Sequence, residues 1–257
     1  TVPTSNMLLG LSGKVALVTG SSRGIGHAIA KALHAEGCKV ALNGRTADGL
    51  AAAAAALPGA LSVAGDVTRP EEARRIVAEV IKSLGRLDIL VCNVGSGRSV
   101  PPGEESPGEW QRVFTLNLWS TTNTVEAARE ALAASKGAIV CVSSICGLEV
   151  IPGAPVTYSS AKAALNAYVR GIARPLGKLG VRINAIAPGN ILFDGSVWFR
   201  KLSENEEMVH EMLERDVSLS RLGTPDEIAS LVVYLASSCA GFATGGIWTL
   251  DGGQVRS

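Results

Sequence analysis

The sequence predicts a single α/β domain with helices on both faces of a parallel sheet. Short apolar runs rich in β-branched residues alternate with longer amphipathic stretches, most of the runs are apolar on both sides, and a glycine-rich turn joins the first run to the first amphipathic stretch. Strands that are apolar on both sides belong between two layers of helices, which makes a three-layer sandwich. No Pro/Gly/Ser stretch is long enough to separate domains and no solenoid-length repeat is present, so residues 1–257 read as one domain.

In chain order, strands are predicted at 14–19, 39–43, 61–64, 87–91, 138–143, 182–187 and 246–250. The first helix is predicted at 27–36, behind the glycine turn. Thr68 with Glu71, Ser203 with Glu206 and Thr224 with Glu227 each have the spacing of a capping box, in which hydroxyl and carboxylate satisfy orphan backbone donors reciprocally. Pro225 follows Thr224 at the first helical position. Residues 157–178 form a long amphipathic stretch in which Pro175 should kink or end the helix.

Composition narrows the function. The chain is 47% hydrophobic, 18% charged and 4% aromatic, with a formal net charge of +1. That apolar fraction rules out disorder as the main theme, and the interspersed charges leave no basic stripe for a nucleic-acid backbone. The longest apolar runs fall well short of the roughly 20 residues that span a bilayer, so no membrane partner is expected. Residues 1–7 show no secretory pattern, and Met7 is a candidate native start. The five cysteines are odd in number without a C-x-x-C pair, and the three histidines lack metal-ligand spacing. A reduced cytoplasmic protein without a metal site is the expectation.

The chemistry starts at Thr19-Gly20-Ser21-Ser22-Arg23-Gly24-Ile25-Gly26, between the first strand and the first helix. Glycines there permit a tight turn and close approach of backbone to a diphosphate, and the helix start supplies N–H donors with partial positive charge. The spacing is G-x-x-x-G-x-G, and no G-K-[ST] follows it. Further along, Tyr158 and Lys162 stand four apart and so share a helix face, whereas Tyr168 and Tyr234 lack such a partner. A phenol beside an ammonium can give or take a proton at a substrate oxygen. Lowering a phenol from its usual value near 10 towards neutrality asks for about 4 kcal/mol, which adjacent cations in a partly dry cleft can supply.

Together with Asp66, Cys92-Asn93-Val94-Gly95, Asn117, the Ser143/Ser144 pair and Pro188-Gly189, these motifs resemble, in order and over residues 11–254, the short-chain dehydrogenase/reductase family, with a pattern most like its 3-oxoacyl-carrier-protein reductases. The resemblance implies a Rossmann-type fold with a seven-stranded parallel sheet, a nicotinamide dinucleotide, and hydride transfer between a carbonyl and a secondary alcohol. It assigns Asn117, Ser144, Tyr158 and Lys162 to catalysis, with Asn117 anchoring a proton-relay water. It assigns Gly20, Ser22, Arg23, Gly24, Ile25, Gly26, Asn93, Gly95, Tyr158, Lys162, Pro188, Gly189 and Ile191 to the cofactor, with Asp66 and Val67 at the adenine. At the end of the second strand Gly44 stands where NAD-using relatives carry Asp, followed by Arg45, with Arg23 nearby. That charge pattern favours NADP(H), since arginines accept a 2′-phosphate that a carboxylate would repel; NAD(H) stays open.

The sequence also departs from the family pattern. Cys92 and Val94 replace an Asn and an Ala, and Phe193 stands where a Thr often bonds the nicotinamide carboxamide, leaving that anchor to backbone near Ile191. Residues 190–216 are expected to form a lid with Trp198 and Phe199 as candidate walls, and residues 96–102 and 146–155 to complete the pocket with Arg98 and Glu149 as polar handles. The substrate expected is a small ketone, polyol, sugar or hydroxy acid. A 3-oxoacyl-carrier-protein reductase is the alternative, and a non-catalytic NADP(H) sensor or scaffold the reading from another class. The resemblance further implies a homo-oligomer, tetramer or dimer, formed through residues 110–131, 157–178 and the segment near Trp248.

Overall fold

The computed structural model describes residues 8–256. The expectations about residues 1–7 lie outside the described residues.

Each predicted strand is present: β1 (Val15–Val18), β2 (Lys39–Gly44), β3 (Leu61–Ala64), β4 (Ile89–Cys92), β5 (Ala138–Val142), β6 (Arg182–Pro188) and β7 (Ile247–Leu250). They form one parallel sheet in the order β3-β2-β1-β4-β5-β6-β7. The order reverses between β1 and β4, and in such sheets the crevice at the carboxyl ends of those two strands is the ligand site. The alternation along β1 shows why its strand is apolar throughout. Ala16 and Val18 enter the core on one face, Val15 and Leu17 the core on the other.

The helices are α1 (Gly24–Ala35), α2 (Ala47–Ala55), α3 (Pro70–Leu84), α4 (Pro107–Phe114), α5 (Ser120–Ser135), α6 (Val156–Gly177), α7 (Val197–Glu204), α8 (Glu206–Asp216) and α9 (Pro225–Ala236). Residues of α1, α2 and α9 pack on one face of the sheet and residues of α3, α5 and α6 on the other. Helix α1 starts three residues earlier than the hydrophobic pattern indicates, inside the glycine motif, with Arg23 as its N-cap.

Of the three capping boxes only Thr224/Glu227 forms. Thr224 Oγ1 accepts from Glu227 N (3.3 Å), and the Glu227 carboxylate accepts from Thr224 N (2.8 Å). At α3 the capping position falls to Arg69, because Pro70 needs no N–H partner at the first helical position; Thr68 instead bonds Asp66. Ser203 lies inside α7, and Asn205 caps α8 by accepting from Met208 N (3.0 Å). Pro175 neither breaks nor ends α6 at its own position. The helix runs two residues further, to Gly177.

Candidate functional site

The loop leaving β1 is held by side chains of neighbouring strands. Ser21 Oγ donates to Val18 O (2.8 Å) and accepts from Asn43 N (3.0 Å), while Ser21 N donates to Asn43 O (2.8 Å). Asn43 Nδ2 donates onward to Val63 O (3.0 Å) and Gly65 O (3.2 Å). From β4, Asn93 N donates to Thr19 Oγ1 (3.0 Å) and Asn93 Nδ2 to Thr19 O and Gly20 O (3.1 and 3.0 Å). Both amide protons of Asn93 therefore shape the loop. Gly20 and Gly24 have φ of +64° and +58°, and a Cβ on Gly26 would lie 2.4 Å from Gly20 O. The loop is thus closed against β4 by contacts that only glycine allows.

The result is a cradle with unused donors. Arg23, the N-cap of α1, gives the helix no side-chain cap, and among the described residues no acceptor takes the N–H groups of Gly24, Ile25 and Gly26. Uncapped donors at a helix start behind a glycine turn fit a dinucleotide diphosphate. At the edge of the cradle, a Cβ on Gly44 would lie 3.2 Å from Leu50 Cδ2 and 3.5 Å from Ser22 Cβ, so there is little room for an acidic side chain. Arg23 and Arg45 are exposed and make no ion pair among the described residues. Asp66 Oδ1 accepts from Thr68 N and Oγ1 (3.0 and 2.8 Å), and Val67 is buried in the core, its carbonyl accepting from Asn123 Nδ2 (3.3 Å). Gly189 packs β6 against Asp251, where a Cβ would be 2.7 Å away; Pro188 ends β6, and Ile191 is buried beside Gly223.

Asn117 and Lys162 converge on Gly95. A Cβ there would fall 2.8 Å from Asn117 Oδ1 and 3.1 Å from Lys162 Nζ. Lys162 is buried, its ammonium donates to Val142 O (2.8 Å), and it lies 5.8 Å from the centre of the Tyr158 ring one helical turn away. Asn117 sits in a single π turn at 115–119 between α4 and α5, and its side chain bonds only backbone: Oδ1 accepts from Ser96 N, and Nδ2 donates to Ser96 O and Val113 O. Such π turns leave local backbone groups outside the regular ladder and are frequent at functional sites.

The two serines after β5 differ in what they touch. Ser143 Oγ donates to Asn166 Oδ1 (2.6 Å), and Asn166 Nδ2 donates to Gly147 O (3.0 Å), a pairing that fixes the loop behind the site. Ser144 faces the Tyr158 phenol while its Oγ accepts from Cys146 N (3.2 Å). Burial raises Tyr158 to about 12, with the Ser144 hydroxyl acting in the opposite direction. Burial also lowers Lys162 to about 8. Desolvation thus sets the direction for the phenol among the protein's own groups, whereas the expected depression also counts on the positive nicotinamide ring of a bound cofactor.

The surrounding loops place the remaining candidates. Glu149 Oε1 accepts from Arg256 N (3.0 Å), so it ties the loop after β5 to the carboxyl-terminal segment. Trp198 packs on the small apolar core of the lid, Val209, Leu213 and Val217, and beneath Lys201 Nζ at 4.5 Å; Phe199 is about half exposed. Trp198 thus packs within the segment 190–216 itself. Arg98 is exposed beside Gly97, whose Cβ position is 3.7 Å from the Tyr158 ring. Sequence reasoning passed over Ser21, Asn43 and Asn166. All three follow or lie in strand and helix segments where a buried polar residue is itself the signal.

A family model described as enoyl-(acyl carrier protein) reductase matches residues 20–254. The chain is 37% identical over 242 residues to an acetoacetyl-CoA reductase of Shinella zoogloeoides, covering 94% of this chain and 98% of that one. It is 34% identical over 252 residues to a 3-oxoacyl-[acyl-carrier-protein] reductase of Synechocystis, covering 95% and 98%. Among solved structures, L-sorbose reductase of Gluconobacter frateurii, in complex with NADPH and L-sorbose, superposes with a TM-score of 0.91 at 32% identity, covering 98% of this chain and 100% of that one. With the parallel sheet, the glycine cradle and the Ser144/Tyr158/Lys162 cluster, these likenesses establish that the chain belongs to the short-chain dehydrogenase/reductase family of oxidoreductases.

Proposed function

We propose that the protein is an NADP(H)-dependent carbonyl reductase acting on a small polyhydroxylated ketone or sugar, with the alcohol as product. The observation that carries this reading is one series of contacts, Asn117 and Lys162 meeting at Gly95, Lys162 standing 5.8 Å from the Tyr158 ring and Tyr158 facing Ser144, in a protein that also has a helix start with unused N–H donors. NADP(H), when bound, supplies or accepts the hydride. The N–H groups of Gly24, Ile25 and Gly26 would hold its diphosphate, with Arg23 and Arg45 at the 2′-phosphate. Ser22, Asp66 and Val67 border the adenosine side, and Gly20, Asn93, Gly95, Pro188, Gly189 and Ile191 form its walls.

Ser144 Oγ holds the substrate oxygen, and Tyr158 donates its phenolic proton to that oxygen as carbon is reduced. A phenol near 12 is fully protonated at neutral pH, which suits the reductive direction. The Lys162 cation stabilises the phenolate left behind, and Asn117 holds the 96–98 loop against the ring.

A 3-oxoacyl-carrier-protein reductase is the second reading, favoured by the acetoacetyl-CoA and 3-oxoacyl relatives. NADPH consumption with ketoses, small ketones and 3-oxoacyl thioesters, run beside Tyr158→Phe, separates them. Turnover of ketoses lost in Y158F supports the proposal, preference for thioesters supports the second reading, and NADPH binding without turnover of any of these points to a sensor.

The protein is further proposed to form a homo-oligomer. Trp119 and Trp248 are 37% and 38% exposed, one at the start of α5 and one on β7, and both are apolar surface suited to burial by a second copy. Light scattering in solution gives the subunit count. Its five free cysteines suit the reducing cytoplasm, and no described helix is long and apolar enough to cross a membrane.

A further inference from the structure

Resting on the NADP(H) reading, we infer that Phe193 occupies the diphosphate approach in the cofactor-free protein, and that cofactor binding displaces its ring and with it the start of the lid. The second glycine of such a loop is small so that a diphosphate can come close to the backbone. At Gly24 that space is filled. A Cβ built there would lie 2.6, 2.9 and 3.1 Å from three atoms of the Phe193 ring. The ring is packed from behind against the core beneath α1 and α9, so it is held in place rather than turned to solvent.

Its backbone is coupled to the lid. Buried Ser196 Oγ accepts from Phe193 N (3.3 Å) and also from Phe199 N (3.0 Å), where it caps α7. Next to it, Gly195 takes φ +77°, and its Cβ position lies 3.6 Å from Arg23 Nη1. Residues 193–196 therefore rest on both Arg23 and Gly24, the two positions that start α1. A phenyl group offers no hydrogen bond to a carboxamide or a phosphate. In this place it competes with the diphosphate for the face of Gly24, and moving it pulls on the one hydroxyl that also starts α7.

Two consequences follow. The cofactor binds to the minority of molecules in which the ring has left Gly24, so its apparent affinity is reduced by that fraction. Cofactor arrival also repositions α7 before substrate enters, which orders the two binding events. Phe193 is thus a positioning residue that links the cradle to the lid.

Stopped-flow measurement of NADPH fluorescence on the full chain tests this. In Phe193→Ala the association rate is expected to rise about tenfold or more, as for a competent state populated at 10% or less, with dissociation little changed. Ser196→Ala, which keeps the ring but cuts its tie to α7, should accelerate association less. Phe193→Val repeats the test with more apolar bulk should the alanine variant melt early. Unchanged association, or weaker binding through faster dissociation alone, would overturn the inference and make Phe193 a plain support for the cofactor. If neither wild type nor variants bind NADPH, the cofactor reading itself fails; if they bind and Phe193 is indifferent, only this inference does.

Discussion

At the scale of single residues, the cluster at Gly95 is governed by burial. Lys162 is lowered to about 8 and Tyr158 raised to about 12, both by desolvation. In the proposed mechanism the Lys162 cation is the active form, so kcat/KM for reduction should fall as pH rises through about 8, and the fall should vanish in Lys162→Met over a low, flat profile. The stability consequence has the opposite slope. A lysine depressed in the folded state binds fewer protons there than when unfolded, so its burial cost is present in full below about 8 and is relieved as pH climbs towards the ordinary lysine value. Thermal melts of K162M should lack that relief. Tyr158→Phe should lower kcat by about 10²- to 10⁴-fold while NADPH binding, followed by fluorescence, is retained. The neighbouring serines give a paired test. Ser144→Ala should depress kcat with little change in stability, whereas Ser143→Ala strands the buried Asn166 carbonyl oxygen and should cost about 1–3 kcal/mol in denaturant unfolding. Equal effects of the two on kcat would contradict the division of labour drawn from their contacts.

At the scale of elements, a motif in sequence becomes structure only when its neighbours leave it no better partner. The Thr224/Glu227 box forms because Pro225 fixes the first turn and both groups reach the backbone. Thr224→Ala should therefore cost about 1 kcal/mol in a urea titration, while Thr68→Ala acts only on the Asp66 turn and loses no helix cap. The same spacing at 68–71 and 203–206 failed for local reasons, a proline that moves the cap to Arg69 and an asparagine that caps α8 more directly. Much of the site was nonetheless legible. Tyr158, Lys162, Ser144 and the glycines are named by spacing and motif, because a helix face and a strand-turn-helix entry fix their geometry locally. The contacts of Glu149 with Arg256 and of Trp198 with Val209, Leu213 and Val217 were not legible, because they are tertiary contacts that no local pattern encodes. For Tyr158, spacing shows a nearby cation, while the depth of its burial is a property of the assembled fold that no spacing encodes.

At the scale of the whole molecule, chemistry and stability are placed at opposite ends of one sheet. Its strands were readable because a parallel sheet covered on both faces leaves most positions of its inner strands apolar, as in β1, β4 and β5, with more polar and exposed positions on the edge strands β3 and β7. All proposed site residues lie at or beyond the carboxyl ends of strands or on the helical segments that follow. At the amino ends, Asp88 is buried and serves as the pin. Its carboxylate accepts from Val15 N (3.0 Å), Lys14 Nζ (3.3 Å) and Arg86 Nη2 (2.6 Å), and its backbone joins β1 to β5 by accepting from Ala138 N (2.9 Å) and donating to Val15 O (2.9 Å). The pin has no contact with the cradle or the catalytic cluster. Asp88→Ala would leave the Val15 N–H without an acceptor and two cations without their shared carboxylate. Both cations are about half exposed and can turn to solvent, so the loss is dominated by the buried backbone donor, about 2–3 kcal/mol. For a chain of this size that corresponds to a fall of about 5–10 °C in Tm. Asp88→Asn, which keeps an oxygen for Val15 N, should lose about half as much. In either variant KM for NADPH and for the carbonyl substrate should stay at the wild-type value at temperatures well below the new Tm. A rise in KM accompanying the fall in Tm would mean that strain at the amino ends reaches the crevice through β1 and β4, and that the two ends of the sheet are not energetically separate.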